Sequence, residues 1–104
     1  MTLVQLYNLL KATGYPVAYS HFTSPQAPPF IVYLVSYSSN FIADNKVQQR
    51  IDNVQVELYT NKKDLQAEQR LEQIFYDNEI SWDSTESYIE SEQLFQKIYE
   101  VRLI

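Results

Sequence analysis

The alternation of apolar and polar residues is clearest between positions 30 and 60, where it predicts two long strands joined by a turn. The first strand is predicted from Phe30 to Ile42, which begins with β-branched and aromatic residues on both faces, and the second from Val47 to Tyr59, where apolar and polar side chains alternate toward its end. The polar residues Ala43–Lys46 lie between them and are typical of a turn. This stretch therefore predicts a long β-hairpin.

The two predicted strands change character along their length. Residues 30–35 are apolar on both faces, which predicts cover on both sides of the sheet, and residues 54–58 alternate cleanly. Residues 36–50 are mostly polar, and Asp52–Asn53 interrupts the alternation, which predicts a β-bulge. We therefore expect a hairpin whose base is buried and whose tip extends into solvent.

Two segments carry apolar residues at helical spacing. In the first, Thr2 is expected to cap a short helix that Gly14 ends. The second is predicted to begin at Asn61 as N-cap and to end near Asn78, with Glu68 on its polar side. The side chains predicted to be buried are Leu65, Ala67, Leu71, Ile74 and Phe75.

Three further strands are predicted outside the hairpin. Tyr15–Tyr19 reads as a strand at a sheet edge, because Pro16 cannot donate a ladder hydrogen bond. Residues 20–29 contain three prolines and are expected to form a loop. Ile80–Ile89 and Gln93–Leu103 are predicted as the last two strands.

These elements predict one domain over residues 1–104. Its expected class is α+β, a mainly antiparallel β-sheet with a long extended hairpin, packed by two helices. The hydrophobic fraction of 45% and the charged fraction of 20% fit a folded chain with a modest core. The net charge of −5 disfavours sequence-specific binding of nucleic acid. No apolar run suits a membrane span and no signal peptide is evident, so we expect a cytoplasmic protein without a membrane partner.

Catalytic chemistry has little support in the sequence. His21 is the only histidine, there is no cysteine, and a single glycine excludes the usual phosphate-binding loop. Glu90 and Glu92 lie in a predicted turn and are interpreted as solvated surface. Trp82 is expected to pack in the core, with an interface anchor as the alternative. We therefore predict no enzyme, with no catalytic residues, no cofactor and no metal.

The order of segments along the chain resembles a known family. The phrases PPFIVYLVSYSSNFIADNKV, VQVELYTNKKDLQAEQRLEQIF and ISWDSTESYIESEQLFQKIYEVRLI follow a short N-terminal helix. They resemble small proteins of the head–tail gene modules of long-tailed phages and prophages of Gram-positive bacteria, the head–tail joining (tail terminator or tail completion) family. Gln48 departs from the family pattern, where an aromatic residue is expected.

This resemblance implies a structural protein of the virion. It implies a hexameric ring at the end of the tail tube that terminates tube polymerisation or joins tail to head without an active site. The implied partners are further copies of the chain, the tail-tube protein and a head-completion or connector protein, with DNA passing through the ring. The implied location is the head–tail junction, after synthesis in the bacterial host cytoplasm. The alternatives are a head-completion or connector protein of the same module and a monomeric protein-binding adaptor.

The outer half of the hairpin is where we expect the ring contacts. A ring interface is heterologous, so each subunit uses two different patches, and a hairpin that extends past its own core offers one of them. The predicted interface residues are Ser38, Asn40, Phe41, Ile42, Asp44, Lys46 and Gln48, with Ser36 and Tyr37 at the hairpin base.

Overall fold

The computed structural model describes residues 1–104 and contains two helices and seven strands, which confirms the predicted α+β class. The helices are α1 (Leu3–Lys11) and α2 (Leu65–Asp77). The strands are β1 (Val17–Tyr19), β2 (Phe30–Ser38), β3 (Phe41–Ala43), β4 (Lys46–Gln49), β5 (Asp52–Thr60), β6 (Asp83–Ile89) and β7 (Leu94–Leu103). Neither helix has the length and apolar character needed to cross a membrane.

Five strands form the main sheet in the order β1-β2-β5-β7-β6, and β3 pairs only with β4 in a separate hairpin. All neighbours are antiparallel except β1 and β2, which are parallel. The predicted edge position of the first short strand is confirmed. The centre of the sheet is therefore β5, which pairs with β2 along one side and with β7 along the other.

Both helices pack on the same face of the main sheet. The core joins α1 and α2 to alternate residues of β2, β5 and β7. Its members are Leu6, Leu10, Ile31, Tyr33, Val54, Val56, Leu58, Ala67, Leu71, Phe75, Tyr99, Val101 and Leu103. The predicted cover on both sides of residues 30–35 holds only in part: the helices cover one face, and on the other Val32 is buried while Leu34 is half-exposed. The loop after β1 covers only a corner of that face, where the rings of Phe22 and Phe30 lie 5.6 Å apart.

The ends of the helices show where local sequence signals succeed and where they do not. Thr2 caps α1 as predicted, because its Oγ1 accepts a hydrogen bond from the Gln5 backbone at 3.1 Å and Gln5 Oε1 accepts one from the Thr2 backbone. The predicted cap of α2 at Asn61 is wrong. Asp64 takes this role, since its Oδ1 accepts from the Ala67 backbone at 3.0 Å. Asn and Asp are both favourable N-cap residues, so the sequence alone does not decide between Asn61 and Asp64. The structure decides, because it shows where the helix begins when it is packed on the sheet.

The buried stripe of α2 is centred on Ala67, Leu71 and Phe75. A helix rotates by about 100° per residue, which places Leu65 outside this stripe and Glu68 within it. Leu65 is accordingly 61% exposed and Glu68 only 7%, so the predicted burial of Leu65 and exposure of Glu68 are both wrong.

Each of the two long predicted strands is divided in the structure. The first is interrupted at Ser39–Asn40 and the second at Arg50–Ile51, so neither is continuous. Asn40 Oδ1 accepts a hydrogen bond from the Ile51 backbone at 2.8 Å, and the Ser39 backbone donates to the Ile51 carbonyl at 3.0 Å. The hairpin beyond this break is consequently a unit distinct from the main sheet.

Two other predicted strand features are shifted along the chain. The bulge predicted at Asp52–Asn53 lies on the partner strand, between Val35 and Tyr37, at the same level of the sheet. The strand predicted from Ile80 begins only at Asp83. Trp82 precedes it and packs against Tyr99 with ring centroids 5.0 Å apart, which confirms its predicted core role.

Glu68 lies in an ion network between α2 and the main sheet. Its carboxylate accepts hydrogen bonds from Lys97 Nζ at 2.9 Å and Lys63 Nζ at 2.7 Å. Beside it, Tyr99 Oη donates to Glu72 Oε2 at 2.6 Å. Burial alone would raise the pKa of the Glu68 carboxyl, but its hydrogen bonds with the two lysines outweigh burial and lower the pKa below its ordinary value.

We expect stability to fall on acidification through Glu68. Its pKa is lower in the folded chain, so its contribution is present above the ordinary pKa of 4.5 and is lost as the pH falls through the lowered value. Glu68→Gln should reduce the free energy of unfolding at pH 7 by about 1.5–3 kcal/mol, the range for hydrogen bonds to charged groups. Urea unfolding measured from pH 7 to pH 3 should show that the difference in free energy of unfolding between wild type and Glu68→Gln becomes smaller below pH 4.5.

The matched control is Glu90→Gln, in an exposed turn. It should change the free energy of unfolding by less than about 0.5 kcal/mol at every pH. A gap between wild type and Glu68→Gln that stays constant down to pH 3 would show that the carboxylate of Glu68 does not stabilise the fold.

Candidate functional site

The β3–β4 hairpin lies beyond the end of the main sheet. Residues 39–40 and 50–51, which belong to no strand, connect it to β2 and β5. Asp44 and Asn45 form its tip with φ angles of 53° and 61°. Positive φ at both central residues is typical of a type I′ turn, whose twist matches that of the flanking strands. The predicted turn is therefore confirmed. The molecule as a whole is elongated, with dimensions of 49 × 29 × 24 Å.

The register of the hairpin places two of its large apolar residues opposite one another. Ile42 pairs directly with Val47, and the register shifts between Ile42 and Phe41, which pairs with Gln49. Gln48 is the additional residue in this shift, and its Nε2 donates to the Ala43 carbonyl at 3.2 Å. The amide of Gln48 is thus used to support the turn.

Large apolar side chains are exposed on this hairpin. Phe41 is 61% exposed, Ile42 63% and Val47 56%, and Tyr37 at the hairpin base is 63% exposed. Single exposed apolar residues elsewhere on a surface are ordinary, whereas several of them on one projecting element are typical of an interaction surface. We define these four residues as the hairpin patch.

The structure brings all seven predicted interface residues together on the hairpin and its base. Ser38 ends β2, Asp44 is in the turn, and Lys46 and Gln48 are on β4, all of them exposed. Asn40 is only half-exposed and its Oδ1 is occupied by the Ile51 backbone, so it holds the hairpin in place. Phe41 and Ile42 belong to the hairpin patch.

Val47 is the member of the hairpin patch that the sequence prediction omitted. The signal for it was present, because Val47 follows the predicted turn and a two-residue period places it across from Ile42. Lys46 and Arg50 add positive charge to the same element. Arg50 pairs with Asp52 at 3.2 Å, yet its side chain remains 75% exposed.

A second surface is the face of the main sheet that no helix covers. Cross-strand neighbours arrange it in three rows. The rows are Phe30–Tyr59–Gln96–Ser87, Val32–Glu57–Ile98–Thr85 and Leu34–Gln55–Glu100–Asp83. We call these twelve residues the open face. Its apolar members are only partly exposed, apart from Val32, which is buried.

Glu57 is the most buried acid of the open face, with 9% of its surface exposed. It accepts hydrogen bonds from Tyr59 Oη at 2.7 Å and from Gln96 Nε2 at 3.4 Å. The ring of Tyr59 stacks on Phe30 with centroids 5.0 Å apart. Burial and the hydrogen bond to Glu57 raise the pKa of the Tyr59 hydroxyl, which therefore stays a donor to the carboxylate.

The candidate chemical groups lie away from the hairpin, at the corner of the open face next to the loop after β1. His21 is exposed in the loop after β1, and its Nδ1 lies 3.2 Å from Ser20 Oγ. The cleft beside it, of about 470 Å³, is lined by loop residues together with Phe30, Tyr59 and Glu92. No group of three or more histidine, aspartate or glutamate side chains is placed to hold a metal ion.

Comparison with models of known protein families and with curated proteins finds no match for this chain. The resemblance to head–tail joining proteins therefore stays a prediction from sequence.

Proposed function

We propose that this chain is a phage structural protein, a ring-forming subunit that terminates the tail tube or joins tail to head by protein–protein docking. The observation that carries the proposal is the projecting hairpin with its exposed patch. Phe41, Ile42 and Val47 are more than half exposed and contribute nothing to the core of their own chain. Apolar side chains presented in this way favour contact with another protein.

The arrangement of surfaces also supports a ring. Subunits in a ring contact each other head to tail, so each needs two different complementary patches. The hairpin patch and the open face are two such surfaces on different parts of the chain. In the completed ring we propose that the excess of acidic residues, which gives a net charge of −5, keeps the wall of the channel from gripping the DNA that passes.

A connector or head-completion protein of the same gene module would use the same surfaces at another position in the virion. A monomeric adaptor is favoured by one specific observation, the free edge of β6. This strand pairs only with β7, and its other edge is open to an added strand from a partner. An adaptor would bind through this edge and would leave the hairpin patch free.

The proposal is tested by mixing the purified chain with the tail-tube protein of the phage or prophage that encodes it. Sedimentation velocity should reveal a species six times the monomer mass, alone at high concentration or on the tubes. Electron microscopy should show tubes that end in a ring and stop growing. A chain that remains monomeric and neither caps nor binds the tubes would contradict the proposal, and binding without a ring would favour the adaptor.

A further inference from the structure

We infer that the hairpin patch of one copy docks on the open face of a second copy. The inference rests on the proposed function and names the partner of each surface. The hairpin supplies the paired residues Ile42 and Val47 as exposed apolar side chains on one of its faces, and the adjacent Phe41 on the other. The open face supplies a sheet surface on which Leu34 and Ile98 are partly exposed and which no helix covers, while the loop after β1 packs only at its Phe30 corner.

The charges of the two surfaces are opposite. The open face holds the acids Glu57, Glu100 and Asp83, none of which takes part in an ion pair of its own chain. The hairpin carries Lys46, which has no ion-pair partner in its own chain, and Arg50, which pairs with Asp52 at 3.2 Å but keeps 75% of its side chain exposed, against the single acid Asp44 of its turn. A hairpin docked on the open face therefore brings basic side chains to carboxylates that lack a cation.

The same charges argue against a symmetric dimer of open faces. A two-fold axis would place the carboxylates of Glu100 and Asp83 near those of the other copy, and like charges across an interface are unfavourable. Docking of hairpin on open face joins two different surfaces. It leaves one hairpin patch and one open face unpaired at the ends of a dimer, so further copies can add, and a ring forms where the rotation between copies closes.

Cysteine cross-linking tests this orientation, because the chain has no cysteine of its own. The variants Ile42→Cys and Ile98→Cys are mixed under mild oxidation and the disulfide-linked heterodimer is measured. The matched control mixes Ile42→Cys with Tyr76→Cys, at a position on α2 that is 78% exposed. We expect the first pair to cross-link at least about tenfold faster, which corresponds to a preference of about 1.4 kcal/mol. Leu34→Cys replaces Ile98→Cys if the latter does not fold.

A charge exchange gives an independent readout. Lys46→Glu should slow cross-linking of Ile42→Cys to Ile98→Cys, and Glu100→Lys on the second copy should restore the rate. Equal rates for the Ile98 and Tyr76 pairs overturn the inference.

The outcomes separate the inference from the proposed function. Rings on tubes without the preferred cross-link would leave the proposed function standing and overturn the inference. The preferred cross-link without capped tubes would uphold the docking and contradict the proposed function. If the experiments gave no rings and no preferred cross-link, both the inference and the proposed function would be contradicted.

Discussion

Replacing Phe75 with alanine is expected to lower the free energy of unfolding by about 3–5 kcal/mol, the usual cost of truncating a buried aromatic side chain. Phe75 is fully buried, and its ring lies 5.6 Å from that of Tyr99 on β7. It joins α2 to the face of the main sheet that both helices share. Because small domains are stable by only about 5–15 kcal/mol, the variant should be near its unfolding transition.

Tyr76 is the matched control for this change. It is the next residue along α2 and is 78% exposed, so Tyr76→Ala should alter the free energy of unfolding by less than about 0.5 kcal/mol. Urea unfolding followed by circular dichroism measures both variants. A loss below about 1 kcal/mol for Phe75→Ala would mean that α2 does not pack on the sheet through this residue.

The second large effect is expected on assembly and not on folding. Ile42→Asp places a charge in the hairpin patch, and we expect the concentration needed for assembly to rise at least about 100-fold, as for an interface hot spot. Ile42 is 63% exposed in its own chain, so the free energy of unfolding should change by less than about 0.5 kcal/mol. Sedimentation velocity over a concentration series measures the assembly.

Leu65→Asp is the control for this substitution. Leu65 is 61% exposed, is similar in size to Ile42 and lies on α2, away from the hairpin. An aspartate is also well tolerated in the first turn of a helix. If Leu65→Asp weakened assembly as strongly as Ile42→Asp, or if Ile42→Asp assembled like the wild type, the hairpin patch would not be the contact surface.

Local patterns predict most of the fold of this chain. The period of two between residues 30 and 60 identifies the hairpin, because that period reports which side chains face the core. The turn at Asp44–Asn45 is equally local, since these residue types tolerate positive φ. The N-terminal cap of α1 follows from Thr2 and Gln5 alone.

The features that sequence patterns missed depend on how elements dock. Glu68 reads as a surface residue until Lys63 and Lys97 are placed beside it. The break in both long strands is bridged by hydrogen bonds that Ile51 makes with Ser39 and Asn40, which are distant in sequence.

The open face was missed for the same reason. An apolar strand face predicts cover by some element, and nothing in the strand itself states that both helices occupy the other side. For the candidate site, the polar character of residues 36–50 was enough to predict that this part of the hairpin projects from the core. The position of Val47 across from Ile42 could be inferred from the predicted turn and a period of two, but its exposure of 56% follows only from the structure, in which no other element packs on the hairpin.

The central claim is that residues 38–50 contact another protein copy and contribute little to their own fold. Hydrogen–deuterium exchange of the free chain and of the chain assembled on tail tubes tests it most directly. We expect fast exchange at residues 38–50 in the free chain, strong protection there after assembly, and slow exchange of β5 and β7 in both states. Equal exchange at residues 38–50 in the two states, with new protection elsewhere or none, would contradict the claim.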